Sequence, residues 1–330
     1  MVELGRDRRE KDLLEVFSTF RSDLQRAFWF FFEFPDLFPT AVFFHHCDTS
    51  GGWRKRRSHL RGLQPDLSVE SVQALEQEIA HHFTRWEAKG ESCRIVQESR
   101  TDGRHYWFAS PADSWQTIEN VDEDGNHDTL IIRPTFEVVF VYNPREYSLA
   151  IRGPRKKKHI TAMQQLFGRA VLHRDLPEDD PEDVYQLNRI IEPGFTFSTP
   201  PESHVSSVRL KTIRYKVRDS VFPRVTLEVA DGTPLGRIFD DLARHLESDD
   251  AGLCDIDVDY AMIQVTFDNS SPAYKGQLSF YISGARTCSL KYDERDLVIH
   301  QLLKKWGIDV SEDVDDDPDG DGATSLQCTL

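Results

Sequence analysis

The chain has 330 residues, 39% hydrophobic and 29% charged, with a net charge of −16. That length suits two domains of ordinary size and buries about three quarters of the unfolded surface, so neither metal nor disulfides are required to hold a fold. The five cysteines (Cys47, Cys93, Cys254, Cys288, Cys328) are scattered without a Cys-x-x-Cys pair, against a disulfide framework or structural zinc, and seven acidic residues between Glu312 and Asp321 leave the remainder at −9, against nucleic-acid binding by net charge alone.

Met1 to Asp12 is charged and lacks the apolar stretch of a signal peptide. Leu13, Phe17, Phe20, Leu24, Phe28 and Phe31 recur at helical spacing, and Trp29, Phe30, Phe32 and Phe34 then make the helix apolar all round, fit for a core or a partner interface. The apolar run Phe28–Phe44 is broken by Glu33, Pro35, Asp36 and Pro39 and falls short of the ~20 residues of a membrane span, so cytoplasm is the expected compartment and no membrane partner is expected. Trp53 to Pro65 reads as a basic loop. Ser68 caps a helix with Val72, Leu75, Ile79, Phe83 and Trp86 on one face, and Gly90 stops it.

Six short strands are predicted between Cys93 and Ile151, with hairpin turns at Asp102-Gly103 and Asp124-Gly125. A helix bearing Ile160, Met163, Phe167, Ala170 and Val171 closes this region, so 1–174 reads as a helical N-terminus, a β-meander and a closing helix. Five prolines and an acidic run make 175–204 a linker with a short ordered piece near Val184–Ile191. Residues 205–308 read as strand-strand-helix-strand-strand-helix. Thr233 and Pro234 open the first helix and Asp293 caps the second. The acidic tail, 309–330, is expected to be disordered. The fold class is α+β: antiparallel sheets with helices packed on one face, in two domains.

Three basic clusters carry the functional reading. Arg152, Arg155, Lys156, Lys157 and Lys158 join a strand to a helix start, where four positive charges oppose the helix dipole and call for a counter-anion; the alternative is a solvated turn. Arg54, Lys55, Arg56 and Arg57 follow Trp53, a cation–aromatic grouping suited to a nucleic-acid strand or else a flexible loop. In Val208–Arg218 the apolar parity switches, which predicts a β-bulge near Lys211–Thr212 and turns Arg209, Lys211, Arg214, Lys216 and Arg218 outward together. Asp255, Asp257 and Asp259 alternate on a second strand. They either neutralise that stripe across the sheet or hold magnesium or manganese for phosphodiester hydrolysis.

His45-His46-Cys47-Asp48 and His81-His82 offer metal ligands, but neighbouring helical histidines point apart. His173-Arg174-Asp175-Leu176 lacks the rest of a kinase signature, and Asp315–Gly320 lacks the Glu that completes a calcium loop. The reading is therefore a non-catalytic binding or regulatory protein, without cofactor, that contacts the phosphates of nucleic acid or an acidic protein partner. Its alternatives are the metal-dependent hydrolase and a complex subunit that buries its aromatic N-terminal helix in a partner.

Overall fold

The computed structural model describes Leu4 and residues 13–121, 123–154, 156–178, 183–218, 224–230, 232–234, 236–248, 251–270 and 274–310. The expected acidic tail beyond 310, Arg155 and the charged N-terminal residues other than Leu4 lie outside them. The strands are β1 (Trp53–Arg56), β2 (Cys93–Ser99), β3 (His105–Pro111), β4 (Gln116–Val121), β5 (His127–Ile132), β6 (Val138–Asn143), β7 (Ser148–Arg152), β8 (Val205–Val217), β9 (Val225–Glu228), β10 (Ile256–Phe267), β11 (Gln277–Ser283) and β12 (Thr287–Cys288). The α-helices are α1 (Leu13–Ser18), α2 (Asp23–Glu33), α3 (Phe38–Asp48), α4 (Val69–Glu87), α5 (Lys157–Val171), α6 (Arg237–Ser248) and α7 (Glu294–Lys305). None of these helices is long and apolar enough to cross a membrane.

Ten strands form one antiparallel sheet in the order β2-β3-β6-β7-β1-β12-β11-β10-β8-β9, while β4 and β5 pair only with each other. The protein is thus α+β around a large antiparallel sheet. The six predicted strands between Cys93 and Ile151 all form, and both Asp-Gly turns place their glycine at positive φ, 87° at Gly103 and 82° at Gly125. The predicted bulge is present as well. Met262 pairs with Thr212 and Ile263 with Leu210, so Lys211 is the extra residue on β8.

Trp53–Arg56 departs from expectation: it is the central strand β1, bonded to β7 on one side and β12 on the other. Through it, the stretches 1–174 and 205–308 share a single sheet. The segment expected to be a linker joins the same construction, for Val184, Tyr185, Leu187 and Ile190 are buried in the C-terminal core and Leu187–Ile191 forms a 3-10 turn. The first predicted helix is interrupted. Ser18 and Thr19 hydroxyls turn back onto the carbonyls of Glu15 (2.6 Å) and Val16 (2.7 Å), and Ser22 restarts the chain by capping α2.

Helices on one face describe the C-terminal half only. There α6 and α7 pack Leu242, Leu246, Ile299 and Leu303 against Ile213, Ala261 and Ile282. In the N-terminal half both faces are covered. Leu75 and Phe83 of α4 and Met163 and Phe167 of α5 lie against Trp107, Phe140 and Ile151, while Phe44 and Cys47 of α3 cover Tyr106, Phe108 and Ala150 from behind. Each such fully buried side chain contributes about 1.5–3 kcal/mol.

Candidate nucleic-acid interface

Residues paired across antiparallel strands share a face of the sheet. One such row crosses the whole molecule from β9 to β2: Thr226, Arg214, Tyr260, Ser283, Thr287, Arg54, Ile151, Phe140, Trp107 and Gln97. From Ile151 to Trp107 the row is apolar and roofed by α4 and α5. From Thr226 to Arg54 it is polar, and the apolar residues of the same strands face α6 and α7 on the other side. Among the described residues, the C-terminal half therefore presents an uncovered sheet face on the side where the N-terminal half carries helices.

Tyr260, Met262 and Tyr281 stand half-exposed on this face, outside every hydrophobic cluster of the described residues. The two tyrosine rings lie nearly parallel, 18° apart with centroids separated by 5.8 Å. The Arg214 guanidinium sits 5.1 Å over the Tyr260 ring. Burial first, and then the neighbouring Tyr281, raise the Tyr260 phenol above its ordinary pKa, so it is a neutral hydrogen-bonding group at neutral pH.

The bulge puts the basic stripe on the same face. Arg209 pairs in register with Gln264, and Lys216 with Asp257. Arg214 Nε lies 2.6 Å from Asp259 Oδ1 and Arg224 Nε 3.2 Å from Asp259 Oδ2. Arg218 Nη2 reaches Asp257 Oδ1 at 2.7 Å, and this hydrogen bond holds the Asp257 carboxyl below the usual range. Asp255 accepts from the Gly252 N–H at 2.8 Å. Asp257 therefore pairs with Arg218, and Asp259 with Arg214 and Arg224, so the two carboxylates neutralise part of the stripe. Among the described residues no group of three or more His, Cys, Asp or Glu is gathered as a metal site.

The other predicted residues part company. Arg54 lies at the edge of the open face, lining a depression of about 330 Å³ with Gly153, Pro154, Ile160 and Thr287 where the roof of α5 begins. Lys55 and Arg56, expected on an exposed loop, are buried instead; Arg56 is wholly inaccessible and donates to the Pro177 carbonyl at 2.9 Å. Arg57 donates to the Val310 carbonyl at 2.6 Å. Lys55 and Arg56 are buried because β1 is a central strand, bonded to β7 on one side and β12 on the other.

Arg152 points to the opposite face, where it meets Glu137 (2.5 Å) and His46 (2.6 Å). Lys156 reaches Glu87 at 3.1 Å, and Lys158 lies 5.1 Å over the Trp86 ring; the Lys157 side chain is outside the described residues. Burial alone would raise the Glu87 carboxyl, but hydrogen bonds from Lys156 and Lys89 pull it down to about 2. Glu87 is thus a counter-ion to Lys156 at the helix start. His159 Nε2 lies 3.1 Å from the same carboxylate, out of alignment for a hydrogen bond, while its Nδ1 meets His82 Nε2 at 2.9 Å.

The tyrosines were not singled out from the sequence. The signal for Tyr260 is the alternation in β10, where Tyr260, Met262, Gln264 and Thr266 fall on the parity opposite Ala261, Ile263, Val265 and Phe267, and for Tyr281 that in β11, where it alternates with Phe280 and Ile282. Compared with known proteins, the chain matches no family model, no curated protein and no solved structure.

Proposed function

We propose that this protein is a non-catalytic nucleic-acid-binding protein whose uncovered sheet face takes a single strand. The observation that carries the reading is the near-parallel pair Tyr260 and Tyr281 on a polar sheet face flanked by Arg209, Arg214, Lys216 and Arg54, with Lys211 at the bulge beside them. Aromatic rings on an open sheet accept unstacked bases of any sequence, and neighbouring cations follow the phosphates. A duplex hides its base faces, so the same surface discriminates against it. The acidic body repels a polyanion at long range, which confines binding to this patch and makes it strongly salt-dependent.

Fluorescence anisotropy with labelled single-stranded DNA, RNA and duplex DNA across a salt series tests the reading. Single strands are expected to bind more tightly than duplex, with affinity falling as salt rises. Tyr260→Ala or Tyr281→Ala should each cost about 1–3 kcal/mol, or about 5- to 150-fold in Kd. Arg209→Ala should weaken all sequences alike and reduce the salt slope by about one ion. No binding to any strand at low salt removes the proposal.

A second reading rests on α2, where Leu24, Phe28 and Phe32 are 66%, 56% and 73% exposed. An aromatic face of this kind on a soluble chain is ordinarily covered by another protein. Sedimentation of the purified chain, alone and with Phe28→Ser and Phe32→Ser combined, tests it. Self-association or dye binding lost in the variant supports the reading, and a monomer that binds no hydrophobic dye opposes it.

A further inference from the structure

Where the two halves of the sheet meet, a cavity of about 230 Å³ lies between β1, β6, β7 and α7. It is separate from the open face, because Lys55, which lines it, projects from β1 on the side opposite Arg54. Its wall carries an ammonium group in an unusual position. Lys55 is 93% buried, and its Nζ makes no hydrogen bond among the described residues. The nearest carboxylate oxygens, Glu146 Oε2 and Asp309 Oδ2, are each 3.9 Å away, beyond hydrogen-bond reach. Burial works against the charge on Lys55, but Tyr185, Tyr292, Glu146 and Asp309 around it hold its pKa well above the ordinary lysine value. The ammonium therefore lines the cavity with two carboxylates near it but no direct hydrogen-bond acceptor among the described residues.

The surrounding groups define what would satisfy it. Lys304 sits 3.2 Å from Glu146, Arg104 2.6 Å from Asp102 and Lys55 3.9 Å from Glu146 and Asp309, so each of these wall cations has a carboxylate within 4 Å. A ligand with a net charge would bring an uncompensated charge into a buried place. A zwitterion fares no better: its carboxylate placed at Lys55 would lie against Glu146 and Asp309, and its ammonium placed at those acids would lie against Lys55. A hydroxyl group avoids both conflicts. Its oxygen can sit about 2.8 Å from both the ammonium and a carboxylate, accepting from one and donating to the other. His300 offers a further acceptor. Its Nε2 donates to the Lys291 carbonyl at 3.0 Å, which leaves Nδ1 with a lone pair, and the ring stacks 5.0 Å from Tyr292.

We infer that this cavity binds a small uncharged polyhydroxy molecule, held by hydroxyls bridging Lys55 to Glu146 and Asp309. The volume equals that of roughly eight waters in the liquid, which limits the occupant to the size of a pentose or a short polyol.

Isothermal titration of the full chain with D-ribose, xylitol and myo-inositol tests the inference, with glycine and acetate as the zwitterionic and anionic comparisons. Direct heats are needed because polyols stabilise any protein by exclusion from its surface. Saturable binding of at least one polyol is expected, with neither glycine nor acetate bound. Gln301→Leu removes an exposed polar group from the cavity wall without touching the ion network, and it should weaken that binding at least fivefold. Lys55→Met should abolish it in whatever fraction folds. No heat from any of the three polyols, binding of glycine or acetate instead, or polyol binding unchanged in Gln301→Leu each overturns the inference.

Discussion

Among the described residues, Arg56 is the largest charged side chain that the fold encloses completely. It reaches across from β1 to the Pro177 carbonyl and so ties the start of the sheet to the segment that leads into the C-terminal half. Arg56→Met keeps much of the volume but strands that acceptor, and a loss of about 2–4 kcal/mol is expected by urea unfolding. Two imidazoles give the molecule a pH dependence of a definite sign. Burial, aided by His159 for His82 and by Lys55 for His300, brings each pKa down to about 4 from an ordinary 6.5. The unfolded chain therefore takes up these protons first as pH falls. The stability they supply is complete above about pH 6.5 and is lost between 6.5 and 4, at up to about 1.4 kcal/mol per pH unit for each ring. Urea midpoints at pH 7, 5.5 and 4.5 should fall in step, and His300→Gln should flatten the fall; a constant midpoint over that window would remove this account.

At the scale of the element, Gly168 lies inside α5, where alanine would ordinarily be worth about 1 kcal/mol more. A methyl group there would meet Leu176 Cγ at 2.6 Å and the Arg174 carbonyl oxygen at 2.7 Å, because the chain folds back across the helix just after it ends. Gly168→Ala should therefore lower stability by about 1–3 kcal/mol in thermal unfolding, against its helix propensity. The elements most legible in the sequence are those whose signal is local. Ser68 and Asp293 cap α4 and α7 as their residue types predict, and the parity switch in β8 announces its bulge. Two elements escaped. Residues 38–48 form α3, whose mixture of Phe38, Ala41, Val42, Phe43 and Phe44 is apolar on every side and so shows no period. Strand β1 is Trp-Arg-Lys-Arg, with no β-favouring residue after Trp53, and its neighbours make it a strand. The same cause hid half of the candidate site. The cations were visible as a stripe, but which sheet face remains uncovered depends on strands paired across more than a hundred residues of chain, such as Arg54 with Thr287.

The whole molecule turns on that central strand. β1 comes early in the chain, yet it hydrogen-bonds to β12 near the end, and Arg57 beside it donates to Val310. Division of the chain at residue 174 would leave β1 as a raw edge and Lys55 without Asp309. Fragments 1–174 and 175–330 are each expected to be insoluble or unfolded when made alone and to recover a cooperative melt when made together. Two separate melts that sum to that of the intact chain would mean that the halves are independent. The long separation of these partners also predicts slow folding, since the closing pairs of the sheet form only after most of the chain is in place.

The hairpin of β4 and β5 stands apart from all of this. It belongs to a sheet of its own, every residue of β4 is exposed, and so is all of β5 except Ile132. Its Asp124-Gly125 tip can accept inserted sequence at no expense to the core. An epitope or a fluorophore-binding peptide spliced there would give the molecule a handle for immobilisation and single-molecule work, leaving the ten-stranded sheet and both of its candidate sites as they are.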